Sequence, residues 1–204
     1  QTVNGSSGVA PIWVDKTGQN RIIVIPGANN LIDADIAIDS LSNIGPLDVL
    51  VGQFEIPLEV NEKVFEFAKN NGVQTVLNPA PAGNISEKLL NNTSWFIPNE
   101  IEFEEMLGEP FNENALLKHS KEVNPEIIVT LGENGCAEVS GGKVHIHQAK
   151  KVTAIDTTGA GDAFVGSFSY GLASKMSKQD SIKLALEKAT NSVTKKGTQS
   201  SYKD

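Results

Sequence analysis

The chain has 204 residues, of which 39% are hydrophobic and 21% are charged, a composition typical of a globular protein with a substantial core. Its formal net charge of −8 argues against nucleic acid or an anionic membrane as a partner. The sequence contains no apolar run of transmembrane length and no signal-peptide pattern, so we expect a soluble protein of the cytoplasm or nucleus. The lone cysteine, Cys136, fits a reducing compartment.

The first strong signal along the chain is a β-hairpin. Two short alternating runs within residues 9–25 flank a turn-forming segment at residues 15–18. Both faces of this ribbon carry apolar side chains. For Trp13 we favour packing in a core over stacking on a ligand.

From residue 33 onward, short apolar strands alternate with amphipathic helices. This succession predicts right-handed βαβ units on a mostly parallel sheet. We therefore expect an α/β fold, specifically a Rossmann-like three-layer sandwich. The predicted helices cover residues 33–41, 59–71, 99–107, 112–123, 159–175 and 177–195. The predicted strands cover residues 47–54, 73–77, 95–98 and 126–131, followed by a hairpin over residues 136–147.

The segment of residues 151–168 carries the clearest chemical signal. A strand-like run leads into the small-residue turn Gly159, Ala160 and Gly161, and Asp162 then opens a helical pattern. This order directs free backbone N–H groups and the positive end of a helix dipole at one point, which favours anion binding. Asp162 is suited to take a proton from a hydroxyl that attacks a phosphoryl group held there. The alternative is a plain glycine-rich turn with Asp162 as a helix cap.

Other candidate residues follow predicted strands, where open parallel sheets place their ligands. Glu55 is either a ligand contact or a solvated acid. Asn99 and Glu102 have the spacing of a helix capping box. The glycines of residues 130–135 fit either a nucleotide contact or an ordinary turn.

The histidines carry weaker signals. His145 and His147 alternate in the predicted hairpin, yet no acidic or cysteine partner stands at metal-binding spacing, so exposed edge-strand histidines are favoured over a metal site. His119 lies in a polar helix and receives no role.

The string DTTGAGDAFVGSF at residues 156–168 resembles the C-terminal signature of the ribokinase-like carbohydrate kinase family. Six further motifs occur in the order of that family: IPGAN at 25–29, GQFEIP at 52–57, LNPAPA at 77–82, PNEIE at 98–102, TLGENG at 130–135 and KGTQSSY at 196–202. The resemblance implies ATP-dependent phosphorylation of the terminal hydroxyl of D-ribose to ribose 5-phosphate. In this reaction Asp162 is the general base and the turn from Gly159 to Asp162 is the anion hole.

The resemblance also implies a set of binding residues. Glu55 and Asp162 would contact the sugar. Mg²⁺ would be held by Glu102 through water. ATP would be bound by Asn99, Thr130, Leu131, Gly132, Glu133, Asn134, Gly135, Gly161 and Asp162. An activating K⁺ would be bound by Asp156, Thr158, Ser192, Lys195, Gly197 and Ser201.

Compared with the family, about the first third of the fold, which includes the segment that grips the sugar, is absent from this sequence. The resemblance therefore implies a partial β lid in residues 1–30 and an α/β kinase core in residues 31–204. A lid of this kind suggests a homodimer. Two alternatives stay open: a non-catalytic fragment that binds nucleotide or a partner, and a related kinase that acts on fructose, a deoxysugar acid or a nucleoside.

Overall fold

A six-stranded sheet forms the centre of the protein in this computed structural model, which describes residues 1–14 and 20–202. The strands are β3 (Val49–Gly52), β4 (Gln74–Leu77), β5 (Trp95–Phe96), β6 (Glu126–Thr130), β7 (Cys136–Ser140) and β8 (Lys143–His147), and they lie side by side in this order. Neighbours from β3 to β6 are parallel, while β6, β7 and β8 are antiparallel. The predicted α/β class is confirmed.

Seven α-helices accompany the sheet within the described residues. They are α1 (Ala34–Asn43), α2 (Leu58–Asn70), α3 (Glu87–Asn91), α4 (Glu100–Leu107), α5 (Glu113–Glu122), α6 (Ala160–Ala173) and α7 (Lys178–Ser192). None of these helices is both long and apolar enough to cross a lipid bilayer.

The helices cover both faces of the sheet, which produces three layers. Successive strand residues point to opposite faces, so Leu77 joins the core beneath α2 to α5, whereas Val76 joins the core beneath α6 and α7. The second core contains Phe164, Phe168 and Ile182 from the two long helices. This arrangement confirms the predicted sandwich.

Helix boundaries follow local capping chemistry. Asp33 caps α1 by accepting hydrogen bonds from the N–H groups of Asp35 and Ile36, and Ser177 caps α7. The listed helices, strands and hairpin are present, although their ends differ by a few residues. The strand-like run at residues 152–155 is an exception: it forms no strand, and Ile155 N donates instead to Val193 O at the end of α7. Helix α3 was not predicted, because its single turn and a half is too short to show a helical period.

The N-terminal segment contains a separate two-stranded antiparallel sheet of β1 (Ile12–Val14) and β2 (Asn20–Ile22). These strands confirm the predicted hairpin pairing; the predicted turn at residues 15–18 lies outside the described residues. The core packing predicted for Trp13 is wrong. Its side chain is 54% exposed, because the two strands pair with each other and not with the six-stranded sheet. The division into lid and core at residue 30 stays a prediction.

The three histidines occupy different environments. His145 is exposed on the edge strand β8, as predicted. The exposure predicted for His147 is wrong: it is half-buried, because its Nε2 lies 3.4 Å from Oε1 of the buried Glu138 on the adjacent strand β7. His119 is only 8% exposed, and its two ring nitrogens lie 2.8 Å from Glu109 Oε1 and 3.1 Å from Glu122 Oε2. It therefore fastens α5 to the loop before it, a structural role that the sequence did not indicate.

Candidate functional site

The site lies at the edge of the sheet where the four parallel strands end. Gln53 directly follows β3, Asn78 directly follows β4, and Asn99 is bridged to Thr130 at the ends of β5 and β6. The N-terminus of α6 reaches the same edge, since Asp162 in its first turn is hydrogen-bonded to Gln53. In open α/β sheets this edge is where ligands bind.

The start of α6 is built to receive an anion. Gly159 caps the helix with a φ of 80°, and the first helical hydrogen bond runs from Ala163 N to Gly159 O, 2.9 Å away. The N–H groups of Gly161 and Asp162 therefore have no acceptor within the helix. They point out at the positive end of a 14-residue helix dipole. Ala160 N is engaged more weakly, at 3.3 Å from Thr157 O.

Asp162 is exposed beside these N–H groups and faces a cleft of about 360 Å³ between α6 and α7. The cleft is also lined by Ser167, Asn191 and Tyr202. Its volume falls in the range of small-molecule sites. A carboxylate in this position can accept a proton from a hydroxyl that enters the cleft.

A chain of side-chain amides leads to Asp162. Gln53 Nε2 lies 3.2 Å from Asp162 Oδ1 and 3.0 Å from Asn78 Oδ1, and Asn78 Nδ2 donates to Ile97 O at 2.9 Å. Sequence reasoning missed the contribution of Gln53 and Asn78. Their positions could have indicated a role at the site, because both are amide residues that directly follow parallel strands.

Glu55 lies two residues beyond Gln53 and is exposed at the same edge. The neighbouring Phe54 N donates to Ala80 O at 2.9 Å, which holds this segment against the loop after β4. Glu55 therefore lies at the same edge of the sheet as Asp162.

Asn99 and Glu102 form the capping box that their spacing predicts. Asn99 Oδ1 accepts from Glu102 N, and Glu102 Oε2 accepts from Asn99 N, both at 2.8 Å. Burial raises the pKa of Glu102, and the hydrogen bond from Asn99 N opposes that effect. Oε2 serves the cap, so Oε1 is the oxygen that a metal-bound water would contact. In the described part of the chain no three acidic, histidine or cysteine side chains converge as a metal site. A single carboxylate, that of Glu102, suits a Mg²⁺ ion that keeps most of its coordinated water molecules.

The loop of residues 130–135 turns from β6 into β7 through a 3₁₀ turn at Gly132–Asn134, whose residues are exposed at the strand-end edge. Gly135 has a φ of 96°, and a Cβ built there would lie 1.9 Å from His147 O. This glycine is required by packing against the end of β8. Next to Gly132 the space is open, so a ligand can approach the backbone there.

The residues assigned to a monovalent cation meet where the 156–158 turn touches the closing loop, residues 196–202. Asp156 Oδ1 accepts from Thr158 N and Asp156 Oδ2 accepts from Gly197 N, both at 3.0 Å. These hydrogen bonds lower the pKa of Asp156. Those that Thr158 donates have the larger effect, and the one from Gly197 adds to it. The carboxylate of Asp156 and the hydroxyl and carbonyl oxygens of the neighbouring residues are donors of the type that hard cations prefer.

The remaining cation candidates lie around this junction. Ser192 and Ser201 are buried, and Lys195 N donates to Ser192 O at 3.2 Å. Tyr202, which sequence reasoning also left without a role, donates from Oη to Gly159 O at 2.8 Å. The closing loop is thereby fastened to the first residue of the anion-binding turn.

Comparison with known proteins gives a consistent result. The family model described as pfkB family carbohydrate kinase matches residues 1–204. The ribokinase of Schizosaccharomyces pombe is 36% identical over 207 residues and the deoxyribokinase of Salmonella typhi is 36% identical over 205 residues, each alignment covering 97% of this chain. The chain spans 65% and 66% of the lengths of these two relatives.

Among solved structures, the ribokinase of Arabidopsis thaliana, in complex with ribose and ATP, superposes with a TM-score of 0.85 at 28% identity. The superposition covers 97% of this chain and 66% of that protein.

Proposed function

Because this chain belongs to the pfkB family of carbohydrate kinases, we propose that it transfers the γ-phosphoryl group of ATP to the terminal hydroxyl of D-ribose, which gives ribose 5-phosphate. The observation that carries the proposal is the position of Asp162. Its carboxylate stands beside the N–H groups of Gly161 and Asp162, which have no helical acceptor, at the edge where parallel strands end. A proton acceptor and an anion hole are the two groups that phosphoryl transfer to an alcohol needs.

In this mechanism Asp162 accepts the proton of the sugar hydroxyl as that oxygen attacks the γ-phosphorus, and the bond from the γ-phosphorus to the bridging oxygen breaks to release ADP. The N–H groups at the start of α6 stabilise the charge that develops on the phosphoryl oxygens. Glu55, exposed at the same edge, binds a sugar hydroxyl. The exposed 3₁₀ turn after β6, with Asn99 beside it, binds the nucleotide.

Two cations complete the proposal. Glu102 would hold Mg²⁺ through water, and the ion would offset the charge of the phosphates. Asp156, Thr158, Gly197 and Ser201 would hold K⁺ at the junction of the 156–158 turn with the closing loop. Because this loop is bonded to Gly159 through Tyr202, a bound cation would steady the anion hole.

A deoxysugar is the second candidate substrate. The deoxyribokinase of Salmonella typhi is as similar to this chain as the ribokinase of Schizosaccharomyces pombe, at 36% identity each. The contacts that separate ribose from 2-deoxyribose involve one hydroxyl, and a site built to bind that hydroxyl discriminates strongly against its loss.

Association of two copies through the N-terminal ribbon is a further part of the proposal. Trp13 on β1 and, on the segment after β2, Ile23 and Ile25 are each about half exposed and share one face of the ribbon. An apolar surface of this kind favours a protein contact. Light scattering on the purified chain, with a dimer mass expected, tests it.

The function is tested by measuring ADP release by the 204-residue chain with Mg²⁺ and K⁺, in the presence of ribose, 2-deoxyribose, fructose or no sugar. We expect release to be stimulated most by ribose. Stimulation by 2-deoxyribose alone would select the second candidate. A folded chain that binds ATP by calorimetry but shows no sugar-stimulated release would contradict the kinase proposal and favour a nucleotide-binding role.

A further inference from the structure

Gln53 connects the end of β3 to the carboxylate of Asp162, although the two residues are 109 positions apart in the chain. Its Nε2 lies 3.2 Å from Asp162 Oδ1 and 3.0 Å from Asn78 Oδ1. One amide nitrogen carries two N–H donors, so it can serve both oxygens at once. Gln53 therefore spans the gap between the sheet and the first turn of α6.

The direction of this hydrogen-bond chain is fixed from its buried end. Asn78 is only 9% exposed, and its Nδ2 donates to the carbonyl oxygen of Ile97 at 2.9 Å. Oδ1 of Asn78 is then the atom that faces Gln53. Because this oxygen can only accept, Gln53 must donate to it from its NH₂ group. The group offered to Asp162 is thus a donor, which suits an ionised carboxylate.

The main chain of Gln53 is held as well. Its carbonyl oxygen accepts a hydrogen bond of 2.7 Å from Nδ2 of Asn61, a residue buried in α2 at 1% exposure. The side chain therefore starts from a fixed backbone and is held at its far end by Asn78 Oδ1, which leaves its second N–H for Asp162. A long, flexible side chain held in this way loses rotamer freedom when the fold forms and not when substrate binds.

We propose that Gln53 is a positioning residue for Asp162, an inference that rests on the kinase function proposed above. By binding Oδ1, the amide of Gln53 holds the exposed carboxylate in one rotamer and leaves Oδ2 to accept the proton of the substrate hydroxyl. Asn78 supports this role, because by accepting from Gln53 Nε2 it ensures that the NH₂ group of the amide, and not its oxygen, faces Asp162. Without this hold, a carboxylate on the outer turn of a helix samples several rotamers, and small misplacements of a reacting group are costly to the rate.

The test compares two replacements of similar size. Gln53→Met removes the donor and keeps the length, and Gln53→Glu places a second carboxylate against Asp162 and Asn78 Oδ1. We expect Gln53→Met to lower kcat about tenfold with KM for ATP unchanged, and Gln53→Glu to lower kcat further. The matched control is Gln74→Met, because Gln74 is a half-buried amide of the same sheet whose Oε1 accepts from Trp95 Nε1 at 3.0 Å, at the opposite end of the strands. Its kcat should stay at the wild-type value.

A double-mutant cycle separates positioning from general stability. If Gln53 acts through Asp162, adding Gln53→Met to the Asp162→Asn variant should give no further loss of residual rate. A further loss of about tenfold in that background would overturn the proposal, since it would show an effect independent of Asp162.

A spectroscopic measurement tests whether Gln53 positions Asp162 without relying on enzyme activity. It therefore remains informative even if the wild-type protein shows no sugar-stimulated ADP release, a result that would contradict the kinase proposal. The carboxyl ¹³C resonance of Asp162 is identified by its loss in Asp162→Asn. At neutral pH it should move in Gln53→Met and stay in place in Gln74→Met. A resonance that is the same in wild type and Gln53→Met would overturn the positioning role.

Discussion

Tyr202 Oη donates a hydrogen bond of 2.8 Å to Gly159 O, the same carbonyl oxygen that accepts the first helical bond of α6 from Ala163 N. A Cβ at Gly159 would lie 2.4 Å from Tyr202 Oη, so the two residues fit closely. Burial, and secondarily the charge of Asp162, raises the pKa of Tyr202. The closing loop, the anion-binding turn and the proposed base are therefore one connected unit.

We expect Tyr202→Phe to weaken this unit without disrupting the core. Loss of one hydrogen bond at a partly exposed site should lower the free energy of unfolding by no more than about 1 kcal/mol. The K⁺ concentration for half-maximal ADP release should rise, because the loosened loop carries Gly197 and Ser201. A K⁺ titration and urea denaturation measure the two effects. Tyr170→Phe, an exposed tyrosine on α6, is the control; an unchanged K⁺ requirement in Tyr202→Phe would contradict the coupling.

Asp162→Asn should abolish most of the turnover and spare nucleotide binding. Removing a general base typically costs about 10² to 10⁴ in kcat, whereas the N–H groups and strand-end loops proposed to bind the nucleotide remain. Steady-state kinetics and ATP calorimetry measure the two quantities. Asp180→Asn removes a carboxylate from the equivalent first turn of α7 and should leave both unchanged. A wild-type kcat in Asp162→Asn would contradict the assignment of Asp162 as the general base.

Asp156 should make stability depend on acid pH. Its pKa is lower in the folded state, since Thr158 and Gly197 donate to the ionised form, so the folded protein binds fewer protons than the unfolded chain in this range. The stabilisation is thus present above the unfolded pKa, about 3.9, and is lost as the pH falls through the folded value.

The Tm of wild type should accordingly exceed that of Asp156→Asn near neutrality, and the difference should shrink on acidification below about pH 4. Thermal melts across that range provide the measurement. Asp39→Asn, at an exposed position of α1, should show no comparable convergence. A Tm difference for Asp156→Asn that stays constant with pH would contradict the assignment.

Gly135→Ala should be strongly destabilising, because the new Cβ would lie 1.9 Å from His147 O and 2.7 Å from Ala149 N at a positive φ. We expect a loss of about 3 kcal/mol or more. Gly132→Ala is the control: it has a φ of 54° but open space around it, so only the conformational cost of about 1 kcal/mol applies. Urea denaturation of both variants measures the difference. If both variants lost the same free energy of unfolding, contact with the β8 backbone would not be the reason that residue 135 is a glycine.

The parts of the fold that were predicted are those encoded locally. The period of α2 and the Asn99–Glu102 box each depend on residues within a turn or two of one another, so they can be inferred from the sequence. The succession of short apolar strands and amphipathic helices likewise predicted the mostly parallel sheet. Helix α3 was missed because five residues show no period.

The contacts that organise the candidate site are not local. Gln53 and Asp162 are 109 residues apart, and Tyr202 is 43 residues from Gly159. No pattern of spacing predicts such a pairing; it follows from the strand order. The environment of Trp13 was mistaken for a related reason, since burial depends on which sheet a strand joins and not on its own alternation.

The capping box also affects how relatives of this chain should be compared. Glu102 is held by reciprocal 2.8 Å hydrogen bonds with Asn99, and these stabilise α4 whether or not a metal ion is ever bound. Selection for folding alone would keep an acid or amide at this position in active and inactive relatives alike. The presence of Glu102 is therefore no sign of catalysis. Glutamine, which can also complete a capping box, is the replacement that would reveal whether the negative charge serves anything beyond the helix.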